Sequence, residues 1–446
     1  MRISVIGLGK LGSPMAACFA ARGFTTIGVD LNQAYVDAIN EGRPPVFEPQ
    51  LAEMIAEGRS CLTATTDITH AVRESDAIFI IVPTPSQEDG GFSLQYVLPV
   101  MEQIGAVLRQ SDRYHLVVLT STVMPGSTGG PVRDTIEEAS GKRAGVDFGL
   151  CYSPEFIALG SVIRDFLNPD FLLIGESDPR AGSMLADIYR RVVLNDPPVA
   201  RLNFANAELA KISVNTFVTT KIAFANMLAR ICERLPEASV DAVTSALGLD
   251  SRIGAKYLRG AISYGGPCFP RDNLALASLA RSLGAPAFVA EATDRANRDG
   301  IDRLAEMVVE RLPQGGTAAV LGLSYKPNTD VIEESPGLHL VRALLDRGTD
   351  VVAFDPAAMP SARRALDGSN AVFTESAEDA IRSADVVVIA TAWQDFAGIA
   401  PSTFERDGEP RIVIDCWRIL TAEQLEGVAT YVALGQSTAA AVPQRT

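Results

Sequence analysis

Two doubly wound α/β domains with parallel sheets, joined by a helical central domain, form the fold class that this sequence predicts. Three observations predict it. Short, apolar, β-branched runs alternate with helical stretches near both ends of the chain. The stretch from about 203 to 295 instead carries long helical segments with apolar residues on more than one face. At 446 residues the chain exceeds one ordinary domain and is long enough for two or three, each with its own core.

The first element is the strand "RISVIG", followed by "GLGKLG", the helix "SPMAACFAARG" closing at Gly23, and a second strand "FTTIGVD" ending on Asp30. Strand, GxGxxG, helix, strand and acid in this order are the signature of a dinucleotide site in a Rossmann-like domain. Gly7 makes the turn, Gly9 admits a pyrophosphate to the backbone and Gly12 lets helix and strand pack closely. Asp30 is expected to bind the adenosine ribose hydroxyls. No arginine follows in "LNQ", so a 2′-phosphate would meet a carboxylate without a cation, and NAD is expected over NADP.

Further strands are read in "AIFIIVPTP", "HLVVLTSTVMPGST", "VDFGLCYSPEF" and "FLLIG". Ligand-facing loops of such sheets lie at strand C-termini, which places Thr84, Thr122 and Glu155 near the cofactor. "NAELAKISVNTFVTTKIAFANMLARICERL" reads as a long helix with Lys211 and Asn215 on one face. Spacing alone favours a solvated surface residue for Lys211 over a cation turned into a cleft. A second α/β unit follows from about 301, with "TAAVLGLSYKPNTD", a helix capped by Ser335, "TDVVAFDP", "ADVVVIATAW" and "RIVIDCW". It has no GxGxxG, so no second dinucleotide is expected. The expected domains are 1–202, 203–300 and 301–436, with 437–446 a mobile tail lacking a core pattern.

The net charge of −15 argues against nucleic acid or an anionic membrane as partner, since both need clustered Lys and Arg. Six cysteines without paired short spacings and three scattered histidines favour a reducing cytoplasm and no metal site. No apolar run approaches membrane-spanning length, and Gly7, Gly9, Gly12 and Pro14 interrupt what would otherwise imitate a signal peptide.

One cysteine stands apart. In "GGPCFPRD", Pro270 suits the first turn of a helix, which puts Cys268 just before an N-terminus whose N–H groups and dipole favour a thiolate. Asp272, four residues on, is placed to act as an acid–base partner or to fix water. Free cysteines also commonly pack as small hydrophobes, so the local sequence leaves both roles open.

The glycine-rich start, "STVMPGST", "SPEF", "AELAKISVNTF", "GLDSRIG", "YGGPCFPRD", "GLSYKPNTD" and "VVAFDP" occur in the order and spacing of the UDP-glucose/GDP-mannose dehydrogenase family, which the chain resembles over nearly its whole length. The resemblance implies oxidation of a nucleotide-sugar C6 alcohol to a carboxylate with two NAD⁺, through a thioester on the cysteine, in a cytoplasmic enzyme of polysaccharide biosynthesis. By resemblance Cys268 is the nucleophile, Asp272, Lys211, Asn215 and Thr122 hold water and stabilise the oxyanion, and Glu155 serves thioester hydrolysis. It also implies cofactor contacts from Gly7, Gly9, Leu11, Gly12, Asp30, Thr84 and Thr122. Sugar contacts are implied from Glu155, Lys211, Asn215, Tyr257, Gly265 and Lys326, and from Arg252 reaching a neighbouring subunit of a homodimer or dimer of dimers.

The chain departs from that pattern at Ala158 and Leu159, where the family has an arginine and a glutamate, at Val331 and Glu333, where it has an aspartate and an arginine, and at Pro267 before the cysteine. Hydrolysis then rests more heavily on Glu155, and Glu333 reverses a local charge. Three readings follow. The first is a four-electron dehydrogenase of UDP-glucose or another UDP-hexose, UDP-N-acetylhexosamine or GDP-mannose. The second is a two-electron β-hydroxyacid dehydrogenase, which would need neither Cys268 nor the last domain. The third is a catalytically silent NAD-binding protein.

Overall fold

The computed structural model describes residues 1–437. The expected mobile tail lies, apart from Ser437, outside the described residues. The chain divides into two compact units: Met1–Ser213 with Ser278–Gly284, and Val214–Ala277 with residues 285 onward.

The first unit is built on an eight-stranded sheet of order β3-β2-β1-β4-β5-β6-β7-β8. Its strands are β1 (Arg2–Ile6), β2 (Thr25–Val29), β3 (Leu62–Thr65), β4 (Ala77–Ile80), β5 (Leu116–Leu119), β6 (Gly149–Tyr152), β7 (Leu172–Glu176) and β8 (Val199–Leu202). Ile3, Val5, Phe79, Val118 and Ile174 pack one face of this sheet, while Ile6, Ile78, Ile80, Val117 and Leu119 pack the other. Strands covered on both faces read as continuous apolar runs, which is why they are visible in sequence. β3 and β8 carry partly exposed, mixed sequences, "LTAT" and "VARL", and show no such run. The pairing is parallel except between β6 and β7, which is antiparallel.

Chain order reverses at β1, which lies between β2 and β4, so the crevice beyond its carboxyl end is the topological switch point of the sheet. The glycine loop sits there and leads into the helix Gly12–Ala21. A Cβ on Gly12 would lie 1.7 Å from Gly7 O, whereas one on Gly9 would meet nothing within 4 Å.

In the second unit, the strands β9 (Thr317–Leu321), β10 (Asp350–Phe354), β11 (Val372–Phe373), β12 (Val386–Ile389), β13 (Arg411–Asp415) and β14 (Ala429–Ala433) form a parallel sheet of order β11-β10-β9-β12-β13-β14. Helix Pro336–Asp346 starts as expected, with Ser335 Oγ accepting from Leu338 N. Asp355 occupies the position equivalent to Asp30 but is buried. It accepts from Leu323 N, Ser324 N, Ser324 Oγ, Ala357 N, Ala358 N and Trp393 Nε1, so its carboxylate is consumed by its own loop.

The expected all-helical stretch needs correction. Helices cover Phe204–Cys232, Val240–Gly248 and Phe269–Ser282, but residues 249–268 between the last two are irregular, and the cysteine loop belongs to them. Residue 301, the expected start of the last α/β unit, falls inside the helix Phe288–Val309, and the first strand begins only at Thr317. Helical periodicity continues across that position without a break to mark it.

The close approach of Gly12 to Gly7 gives a direct test. Gly12→Ala is expected to cost about 1–3 kcal/mol, because a backbone carbonyl must move. Gly9→Ala should stay within about 0.5 kcal/mol of the parent. Thermal unfolding of the two variants checks this, and equal transitions would contradict the packing described.

Candidate functional site

Three groups of the expected site residues lie in the first unit. In the glycine loop, Asp30 Oδ2 accepts from Leu8 N at 2.7 Å and Oδ1 from Asn32 N at 2.8 Å, so the acid is fixed at the mouth of the loop. Gly9 leaves open space over its backbone, Leu11 directly precedes the helix, and these features fit a dinucleotide pyrophosphate and ribose. Thr84 and Thr122 are joined at the ends of β4 and β5, where Thr84 Oγ1 donates to Thr122 O at 2.7 Å.

Glu155 lies just past β6. Tyr189 donates to its Oε1 at 3.2 Å, and Lys211 Nζ donates to its main-chain oxygen at 2.7 Å while standing 4.6 Å from the Phe156 ring centroid. Burial pushes the Glu155 carboxyl up to about 7, against the lowering effects of Tyr189 and the Lys211 charge. A carboxyl poised there gains and loses a proton near neutrality, as a general acid–base must. Lys211 is only 6 % exposed, which corrects the solvated surface reading that its spacing favoured: its ammonium is turned inward, onto the Glu155 carbonyl.

Sequence reasoning missed the side chains that hold this half together. Glu208, fully buried, accepts from Gly126 N at 2.6 Å and Thr128 N at 2.7 Å, and so fixes the loop that follows Thr122. Glu48 accepts from Gly160 N and Val162 N at 2.8 and 2.9 Å, holding the loop that carries Ala158 and Leu159. The available signal was an acid inside an otherwise apolar stretch, "AELAK" for Glu208.

The second unit carries the cysteine. Helix Phe269–Ser282 starts directly after Cys268, Pro270 lies in its first turn, and Asp272 N donates to Cys268 O at 2.8 Å. Among the six cysteines of the chain Cys268 is the exposed one; Cys18, Cys151, Cys232 and Cys416 are buried and Cys61 is intermediate. Asp272 is 1 % exposed, and Asn215 Nδ2 donates to its Oδ2 at 2.6 Å. One position on, Asn273 Oδ1 accepts from Thr219 Oγ1 and its Nδ2 donates to Tyr264 Oη, which ties the cysteine helix to the long helix Phe204–Cys232.

The loop before the cysteine is clamped from the other side. Gly266 N donates to Glu333 O at 3.0 Å, and a Cβ on Gly265 would lie 2.0 Å from Glu334 O. The two departures at 331 and 333 therefore fall on the backbone that supports the cysteine loop: Val331 is buried, and its carbonyl accepts from Tyr325 N. Lys326, next in sequence, stands over the Tyr325 ring at 5.8 Å. Arg252 is held by Asp250 at 2.6 Å with a largely exposed side chain, and Tyr257 is half-exposed with φ 61°. The Tyr257 ring meets that of Phe269, the residue after Cys268, edge-on at 6.2 Å. Among the described residues no cluster of His, Cys, Asp and Glu could hold a metal ion, and no helix is long and apolar enough to cross a membrane.

Comparison with known proteins adds a second line of evidence. Three family models match in chain order: the NAD binding domain of the UDP-glucose/GDP-mannose dehydrogenase family over residues 1–193, its central domain over 205–299 and its UDP binding domain over 319–422. A UDP-glucose 6-dehydrogenase of Haloferax volcanii is 38% identical over 428 residues, covering 95% of this chain and 98% of that protein. A GDP-mannose 6-dehydrogenase of Pseudomonas syringae pv. syringae is 34% identical, covering 91% and 94%. The solved structure of a UDP-glucose dehydrogenase from Pyrobaculum islandicum matches with a TM-score of 0.87 at 36% identity, over 98% of both chains.

The raised Glu155 carboxyl has a sign that stability can read. The folded state keeps its proton up to about 7, while the unfolded chain releases it near 4.5, so the parent loses stability as pH rises through that window. Glu155→Gln has no such loss. The melting temperature of the variant minus that of the parent should climb between about pH 4.5 and 7 and be flat outside it. A difference independent of pH would contradict the raised Glu155 carboxyl.

Proposed function

The chain belongs to the UDP-glucose/GDP-mannose dehydrogenase family and is an NAD-dependent nucleotide-sugar dehydrogenase, and we propose that it oxidises UDP-glucose to UDP-glucuronate through a thioester on Cys268. The observation that carries this reading is the exposed thiol of Cys268 at the start of its helix, one turn from the buried, Asn215-bonded Asp272. UDP-glucose is favoured over GDP-mannose by the two relatives of highest identity given above; the GDP-mannose relative at 34% keeps that hexose as the second reading.

The chemistry runs through this chain's own side chains. When NAD⁺ is bound, its nicotinamide would supply the hydride acceptor. Oxidation of the C6 alcohol leaves an aldehyde, to which the Cys268 thiolate adds, forming a C–S bond and a tetrahedral oxyanion. Lys211 supplies charge and Asn215 an N–H for that oxygen, with Asp272 holding the amide in place. Loss of a second hydride gives the thioester. Water then adds to its carbon while giving a proton to Glu155, the C–S bond breaks, and sulfur leaves as the thiolate that began the cycle. The balance is one alcohol, one water and two NAD⁺ to one carboxylate, two NADH and three protons.

Asp30, Gly7, Gly9, Leu11, Gly12, Thr84 and Thr122 are assigned to the cofactor, Tyr257, Gly265 and Lys326 to the sugar nucleotide, and Thr122 also to the water. The domains 1–202, 203–300 and 301–436 then serve cofactor, subunit contact and nucleotide. A homodimer or dimer of dimers is supported by the exposed Phe217, Phe224, Met227 and Ile231, which share a stripe of the long helix at spacings of seven, three and four residues. Arg252, exposed and on the irregular stretch, is assigned to the neighbouring subunit's sugar. The cytoplasm, where NAD⁺ and reduced thiols are present, is the proposed location.

Stoichiometry tests the proposal. Each UDP-glucose consumed should yield two NADH. Cys268→Ala should bind NAD as the parent does and form no acid, and Cys268→Ser should lose turnover by orders of magnitude, since a hydroxyl is a far poorer nucleophile than a thiolate. Two-NADH turnover near the parent's in Cys268→Ala would overturn it, as would binding of NAD with no NADH from any sugar of a UDP- and GDP-hexose panel.

A further inference from the structure

Tyr189 occupies a position where packing alone asks for phenylalanine. It lies on the buried face of the helix Pro179–Val192, together with Ala181, Leu185, Ile188 and Val192. Its ring meets those of Phe79 and Phe166 edge-on at 6.4 and 6.5 Å, and the residue is 2 % exposed. A hydroxyl in such surroundings is costly unless bonded. This one has two partners, Ser153 Oγ at 2.9 Å and Glu155 Oε1 at 3.2 Å, and Ser153 Oγ also donates to Leu173 O at 3.1 Å.

Proton counting along this line gives two complete arrangements. Each hydroxyl carries one hydrogen, and the serine's is committed to Leu173 O. With Glu155 ionised, Tyr189 donates to the carboxylate. With Glu155 protonated, the carboxyl donates to Tyr189, Tyr189 turns its hydrogen to Ser153, and Ser153 still donates to Leu173. Each donor has an acceptor in both states, and the change between them is a rotation of one O–H bond. We propose that Ser153 and Tyr189 form a two-state hydrogen-bond chain that positions Glu155 and lets it take up and release a proton without stranding a buried polar atom. The proposal rests on the reading of Glu155 as the acid–base group of hydrolysis.

The other titratable or charged groups facing Glu155 are Lys211 from the long helix and Cys18 from the helix Gly12–Ala21. The thiol of Cys18 is pushed up to about 12 by burial and then by the Glu155 charge, so it stays neutral. Tyr189 itself is driven well above its ordinary range by burial and by Glu155, which keeps it a neutral donor rather than a base. Tyr189 is thus a positioning residue: it acts on the reaction through the Glu155 carboxyl.

The two links have opposite signatures. Tyr189→Phe removes a donor to the carboxylate and should move the acidic limb of the kcat–pH profile up by about one unit, with activity recovered at higher pH. Ser153→Ala removes the acceptor that Tyr189 uses when Glu155 carries its proton, and should move the limb down. Titration of the Glu155 carboxyl stretch by difference infrared spectroscopy, assigned by its loss in Glu155→Gln, reads the same shifts without turnover. Opposite infrared shifts in the two variants establish the chain, and either variant suffices if the other does not fold. Infrared midpoints unchanged from the parent in a folded variant overturn it. Opposite infrared shifts with an unmoved kcat profile, and full turnover in Glu155→Gln, would leave the chain standing and sink the acid–base reading instead.

Discussion

A carboxylate with almost no exposure to water cannot stand alone, and the start of the cysteine helix is arranged around one. Asp272 is removed from solvent in the first turn after Cys268, and the amide of Asn215 reaches it at 2.6 Å. That bond fixes the helix start relative to the long helix, and Asn273, bonded to Thr219 and Tyr264, repeats the tie one residue later. From the other side the cysteine loop is held by backbone, Gly266 N to Glu333 O. The thiol is exposed between Gly266, Asp272 and Asn273, each held by a hydrogen bond, and the proposed nucleophile would need that combination of access and fixed direction.

The same device recurs through both units. Glu208 holds the loop after Thr122, Glu48 the loop after Glu155, and Asp355 and Asp415 the strand ends of the second sheet, each by accepting from backbone N–H groups in places that water does not reach. In each case the acid is spent on structure. At Glu155 burial outweighs the Tyr189 hydrogen bond and the Lys211 charge and leaves the carboxyl near neutrality.

What was legible in the sequence is what local rules govern. The glycine loop, Asp30, the Pro270 helix start after Cys268 and the Ser335 cap each depend on a few neighbouring residues, and each lies where its neighbours place it. The apolar strands β1, β4, β5 and β12 were legible because both faces of each sheet are covered. Three kinds of feature were not. The burial of Lys211 depends on Glu155, 56 residues away in sequence. Tyr189 follows an amphipathic pattern that any large apolar residue would satisfy, so its hydroxyl chemistry is invisible without Ser153 and Glu155 beside it. The irregular segment 249–268 does carry breakers, Gly254, Gly260, Gly265, Gly266 and Pro267, which the helical character of the flanking stretches outweighed in a reading by composition.

The central claim is covalent, and it is most directly tested by stopping the enzyme during turnover. Glu155→Gln, incubated with UDP-glucose and NAD⁺ and quenched in acid, should accumulate the uronyl thioester, because the group that takes the proton from water is missing. Mass spectrometry of the digested protein should then find the sugar-nucleotide acyl mass on the peptide containing Cys268 and on no other cysteine peptide. A variant that turns over at least once, as judged by NADH, while Cys268 stays unmodified throughout would contradict the account.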